Sequence, residues 1–187
     1  HADSLRAEQA MRSAIERTVA HGGQRTAQLR GGIVKLHHAT VVLDIVDEAS
    51  RVDLNLAPAV ILTGLLRAIG IPEKDADEQA GKIIEWRKRA ARDAAEPAPE
   101  RLGLEGETFP SNPFLHPAQL ADVPGVSRQT AAAMARYVTV SSARPTINAM
   151  LAELPVLMAV PGLAEDRARA FISERKEGPA AFERLSK

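Results

Sequence analysis

Two adjacent histidines and a short run of acids are where this sequence could do side-chain chemistry. His37 and His38 offer imidazole nitrogens that can ligate a metal or carry a proton. Neighbours on a strand point to opposite faces, however, so the two cannot share one ion without distortion, and they read as surface histidines. Asp44, Asp47 and Glu48 place three carboxylates in one short stretch, the raw material for an acid pair, but a hydrolytic pair also needs a cleft around it. The chain has no cysteine, which removes disulfides, iron-sulfur centres, thiolate zinc sites and cysteine nucleophiles. It also has no HExxH, GxSxG, Walker-type glycine loop or dinucleotide fingerprint. The sequence is therefore read as that of a non-enzymatic protein.

Backbone chemistry is the other candidate. LLRAIGIPEKDA around Gly70, LADVPGVSRQTA around Gly125 and LMAVPGLAEDRA around Gly162 share one cadence. Leu65, Leu120 and Leu157 precede the glycine by five residues, an aliphatic residue follows it, and Ala76, Ala131 and Ala168 come six after it. The pattern predicts a short helix, a turn that needs glycine's freedom, and a second helix packed closely through alanine. This cadence resembles the helix-hairpin-helix family, in which N–H groups beyond the glycine hold a DNA phosphate. Two of the three turns are followed by acids (Glu73 and Asp75; Glu165 and Asp166), and 24 basic side chains balance 24 acidic ones over the 187 residues. Phosphate binding draws on surplus cations, so a nucleic-acid module is the alternative reading and a structural use of the turns is favoured.

The elements that must position these residues are mainly helical. Residues 2–20 read as a helix with a narrow stripe at Leu5, Met11, Ile15 and Val19, stopped by Gly22 and Gly23. From Ile33 to Val46 β-branched residues predict two short strands, with His37-His38-Ala39 as the turn. Beyond Asp53, Asn55 is placed to cap a helix entered through Pro58. Gly70 ends that helix, and the next runs from Glu73 to about Arg92, with Glu78–Lys82 and Glu85–Arg89 as ion pairs one turn apart. Trp86, the only tryptophan, is read as a core plug or an interface anchor. Residues 93–117 contain five of the 12 prolines and predict a long loop, held to the core by Phe109 and Phe114. Aromatics are only 3% of a chain that is 45% hydrophobic, so the core is expected to consist of small aliphatic side chains between close helices. No apolar run approaches the roughly 18 residues of a membrane span, and no leader pattern opens the chain. The start at His1 is read as following a segment that lies upstream.

VDEASRVDLNLAPAVILTGLL (residues 46–66) resembles the DE-x-G-K-I-N-L-N-x-A signature of the GspK-type minor pseudopilins of type II secretion, through Asp47, Glu48, Arg51, Val52, Leu54, Asn55 and Ala57. Asp53 stands where that family usually has Asn, and Ser50 where it often has Gly. IIEWR at 83–87, LADVPGVS at 120–127, YVTV at 137–140 and PTINAM followed by LPVLMAVPGL at 145–163 are similar to later family motifs, in the same order. The resemblance implies an α+β protein: a truncated pilin-like helix and small antiparallel sheet, with a large inserted, mainly α-helical domain containing helix-hairpin-helix-like repeats. The expected domains are residues 1–52 (pilin-like, its membrane anchor upstream), 53–145 (helical, with the 93–117 loop) and 146–187 (a last helical hairpin, after which the family's C-terminal strands do not follow). Asp47-Glu48 becomes a structural turn on this view.

The same resemblance implies a function. Such a protein sits at the tip of the pseudopilus in a heterotrimer with the I-type and J-type minor pseudopilins, where it initiates assembly and supports protein export. Exoproteins and the outer-membrane secretin are further partners. Its place is the bacterial inner membrane, with the soluble domain in the periplasm; nucleic acid is not among the partners. Leu5, Met11, Ile15 and Val19, with Trp86, are the expected interface. Family members bind calcium in the loop after the tryptophan. In WRKRAARDAAEPAPE, Lys88 replaces the usual acid, and Asp93, Glu96 and Glu100 remain as candidate ligands. Calcium takes six to eight oxygens, so three carboxylates need backbone help, and a solvated charged loop is the favoured reading.

Overall fold

Alanine-rich, alternately charged sequence gives way to β-branched sequence near residue 32, and the backbone follows. The computed structural model describes residues 2–21, 32–43, 45–95 and 114–175. The fold is mixed α+β, with an N-terminal helix, two two-stranded sheets and a helix-rich remainder. It divides into two units, His1–Asp47 and Glu48–Lys187.

In the first unit, helix α1 (Ala2–His21) contacts the second strand of a hairpin. β1 (Gly32–Lys35) and β2 (Thr40–Leu43) run antiparallel, with Ile33 opposite Val42 and Val34 opposite Val41. Leu36 N–H donates to the Ala39 carbonyl at 2.8 Å and closes the turn. His37 and His38 lie in that turn, exposed, with their rings edge to face at 4.6 Å. They are exposed turn residues, as the break between the two β-branched runs predicts.

The second unit holds β3 (Val52–Asp53), α2 (Ala59–Ala68), α3 (Glu73–Ala95), a 3-10 turn at Pro117–Asp122, α4 (Arg128–Met134), β4 (Val138–Thr139), α5 (Leu154–Met158) and α6 (Glu165–Glu174). β3 pairs in parallel with β4, Val52 beside Val138, and Val52 N–H donates to the Tyr137 carbonyl at 2.9 Å. Residues 48–52 therefore belong with the helices. All three cadence glycines have positive φ, +95° at Gly70, +86° at Gly125 and +79° at Gly162, where a Cβ costs about 1–2 kcal/mol. Leu65, Leu120 and Leu157, and Ala76, Ala131 and Ala168, all lie in one core. α3 continues through Asp93 to Ala95, past the expected end at Arg92, because Ala94 and Ala95 are strong helix formers. Asp93 is thus helical, while Phe109 lies outside the described residues. Phe114 is fully buried.

Two stretches repeat one arrangement. Asp53 Oδ1 accepts from Asn55 N–H at 2.9 Å, and Asn148 Oδ1 accepts from Met150 N–H at 3.2 Å. The Asp53 carbonyl accepts from Ala57 N–H, as the Asn148 carbonyl does from Ala152 N–H. Each stretch continues through a helix, a positive-φ glycine and a second helix, whose arginine returns to the start. Arg87 Nη1 donates to the Leu54 and Ala57 carbonyls at 3.2 and 2.9 Å, and Arg175 Nη1 to those of Ala149 and Ala152 at 3.3 and 2.6 Å. The first helices, α2 and α5, meet where Gly64 faces Ala159. Each lies eleven residues beyond the residue that opens its stretch, Asp53 and Asn148.

A Cβ built on Gly64 would overlap the Ala159 carbonyl oxygen and lie 2.8 Å from its Cα. Backbone cannot yield as a flexible side chain does. Gly64→Ala is therefore expected to destabilise the protein by about 1–3 kcal/mol, despite the roughly 1 kcal/mol by which alanine favours a helix. Gly81→Ala on α3, with open space around its Cβ, is expected to stabilise by up to about 1 kcal/mol. Urea unfolding of the two variants checks both signs.

Candidate interaction surface

α1 buries the wrong face for a self-sufficient helix. Ala14 is fully buried, and Ala10 and Thr18, one turn to either side, are half-buried. Thr18 Oγ1 donates to the Ala14 carbonyl at 2.7 Å, keeping its hydroxyl satisfied on that face. Met11, Ile15 and Val19 are each the next residue along, hence about 100° around the helix. They are 52%, 55% and 75% exposed, and Leu5 is 60% exposed. The covered side is alanine and threonine, and the large apolar side chains face outward. The hairpin does the same: the cross-strand pair Ile33 and Val42 is exposed, while Val34 and Val41 on its other face are half-covered. Ile33 and Val42 were not singled out by the sequence, where alternation marks two faces without saying which one is covered.

The signature segment around residue 53 serves packing. Asp53 is buried; its Oδ2 accepts from Ser142 Oγ at 2.8 Å. Asn55 does not cap α2, whose N-cap position is Pro58 with no side-chain cap. Its amide instead pairs with one distant peptide group, Nδ2 donating to the Phe114 carbonyl at 2.9 Å and Oδ1 accepting Phe114 N–H at 3.0 Å. The Pro58 carbonyl starts the helix by accepting Ile61 and Leu62 N–H at 3.0 and 3.3 Å, while Asn55 holds Phe114 instead. Burial pulls the Arg87 guanidinium below its ordinary pKa, and the nearby Asp53 carboxylate opposes that shift.

The remaining candidates are not brought together. Asp93 lies in the last turn of α3, its side chain outside the described residues, as are Glu96, Glu100 and Asp44. Glu48 forms an ion pair with Arg51 at 3.5 Å. Among the described residues no group of three or more His, Asp or Glu side chains could hold a metal ion, and no helix is long and apolar enough to cross a membrane. Trp86 lies on α3, in the other unit from the α1 stripe, and packs against the core with part of its ring exposed. The site that emerges from the geometry is the outward apolar face of α1 and its hairpin. Comparison with family models, curated proteins and solved structures finds no match to this chain.

Proposed function

We propose that the protein is a non-enzymatic assembly subunit of the GspK minor-pseudopilin kind, which joins I-type and J-type minor pseudopilins at the tip of a secretion pseudopilus. The observation that carries this reading is the α1 stripe. Four large apolar side chains, each more than half exposed along about four turns of helix, are held in place by a covered face of small residues that does not need them. A patch of this kind marks a protein-protein surface. The order of signature motifs along the chain supports the family, and the glycine turns support its helix-hairpin-helix-like repeats. On this reading the first unit makes the subunit contacts and the second is a rigid body held by Asp53, Asn55, Arg87 and Arg175. On this reading the chain works in the periplasm, at the inner membrane.

Light scattering after gel filtration of this chain mixed with the soluble domains of the two other minor pseudopilins tests the proposal. A heterotrimer is the expected result, and a mixture that stays monomeric at tens of micromolar counts against it. The three positive-φ turns favour one alternative, a nucleic-acid module. That alternative requires a duplex affinity that falls steeply with salt; a flat titration at low ionic strength removes it.

A further inference from the structure

Two charges sit inside the apolar stripe of α1. Leu5, Glu8, Arg12, Ile15 and Val19 recur at alternating intervals of three and four residues, the spacing that keeps side chains on one seam of a helix facing a second helix. All five are exposed. Glu8 and Arg12 are thus members of the seam, at its middle, and neither forms an ion pair among the described residues. The hairpin covers the other side of α1, where Ala14 is buried, and leaves the seam open.

The order of residues along this seam is its own complement. Leu5 and Glu8 lie five and two residues before Ala10, and Arg12 and Ile15 lie two and five after it. A two-fold axis at the level of Ala10 therefore sets Leu5 of one chain against Ile15 of another, and Glu8 against Arg12. Each contact is made twice, as an isologous interface requires. Each charge also stands one turn from its opposite on its own helix, so the four charges alternate in sign. In a parallel, in-register arrangement Glu8 meets Glu8 and Arg12 meets Arg12, and like charges repel.

We propose that α1 pairs antiparallel with α1 of a second copy of this chain, in the register centred on Ala10. This shares with the assembly reading only the premise that the α1 stripe is a docking face; the second copy and the I-type and J-type subunits then compete for it. Charges within a seam fix register and orientation at a cost in stability, so the pairing is weak and shows at tens to hundreds of micromolar.

Sedimentation equilibrium of the whole chain alone is expected to show monomer passing to dimer over that range. Glu8→Arg and Arg12→Glu each set like charges against each other and are expected to weaken the dimer roughly tenfold or more. Both exchanges together are expected to restore pairing to within about threefold of the parent, a recovery that a general loss of helix would not show. Register is read separately. The chain has no cysteine, so under mild oxidation a mixture of Leu5→Cys and Ile15→Cys chains is expected to give the mixed disulfide. Leu5→Cys alone is expected to give none, its two sulfurs standing about 15 Å apart along the axis, beyond disulfide reach. A chain monomeric throughout, charge reversals that pair like the parent, a double exchange as weak as the single ones, or Leu5→Cys cross-linking to itself as readily as to Ile15→Cys each overturn the proposal. If the chain alone stays monomeric while a heterotrimer forms and needs the stripe, the self-pairing alone falls. If the dimer forms as described while serine at Leu5, Met11, Ile15 and Val19 leaves heterotrimer formation unchanged, the assembly reading alone falls.

Discussion

Replacing Leu5, Met11, Ile15 and Val19 together with serine is expected, on the proposed assembly reading, to abolish co-elution with the I-type and J-type minor pseudopilins while leaving the helical unit folded. Fully burying one such side chain contributes about 1.5–3 kcal/mol, so four contribute roughly 6–12 kcal/mol gross. That range brackets the whole of a micromolar complex, about 8 kcal/mol. Little is lost from the fold, because each residue is more than half exposed and the covered face is Ala10, Ala14 and Thr18. Serine does cost helix propensity, up to about 0.7 kcal/mol per site. A four-alanine variant removes that ambiguity, since alanine keeps α1 helical and deletes the same apolar surface. Loss of binding by both variants, with unchanged thermal melting of the second unit, is the expected outcome. Parent-like binding by the alanine variant would show that the stripe is not the interface.

Arg87→Met is expected to lower the stability of the second unit by about 2–4 kcal/mol, read as the urea midpoint shift at constant slope. The guanidinium satisfies two carbonyls, of Leu54 and Ala57, and lies near the buried carboxylate of Asp53. Methionine fills much of the volume but donates nothing, so both carbonyls lose a charged donor and Asp53 loses its cation. Total stabilities are about 5–15 kcal/mol, so this is a large fraction. Arg175→Met should act in the same direction, since it empties the equivalent position in the second repeat. Arg89→Met, on the exposed face of the same helix as Arg87, should stay within about 0.5 kcal/mol of the parent. An Arg87→Met midpoint equal to that of Arg89→Met would mean that the clamp contributes nothing.

The contrast between Asn55 and Gly125 explains which features could be read in advance. Gly125 is a local matter: a turn between two helices needs positive φ, and the glycine between VP and VS supplies it. The side chain of Asn55 is equally suited to capping a nearby helix and to pairing with a remote peptide, and its partner, Phe114, is 59 residues away. The hairpin at 32–43 was legible for the same reason as the turns, since β-branched runs on either side of a short break pair with each other. The parallel pairing of Val52 with Val138 was not, because two residues of strand carry no register signal. The Glu78–Lys82 and Glu85–Arg89 pairs look alike in sequence, yet only the first forms.

By itself, then, the sequence determined the helices, the three glycine turns, the hairpin and the leucine and alanine positions of the core, because backbone sterics and hydrophobic periodicity act within a few residues. It also marked the α1 stripe. Tertiary structure alone decided that the stripe faces outward while alanine and threonine face in, that Gly64 must admit Ala159, and that Arg87 and Arg175 return to the carbonyls where their repeats begin. Those outcomes depend on which distant groups come within hydrogen-bond or van der Waals reach once the core closes.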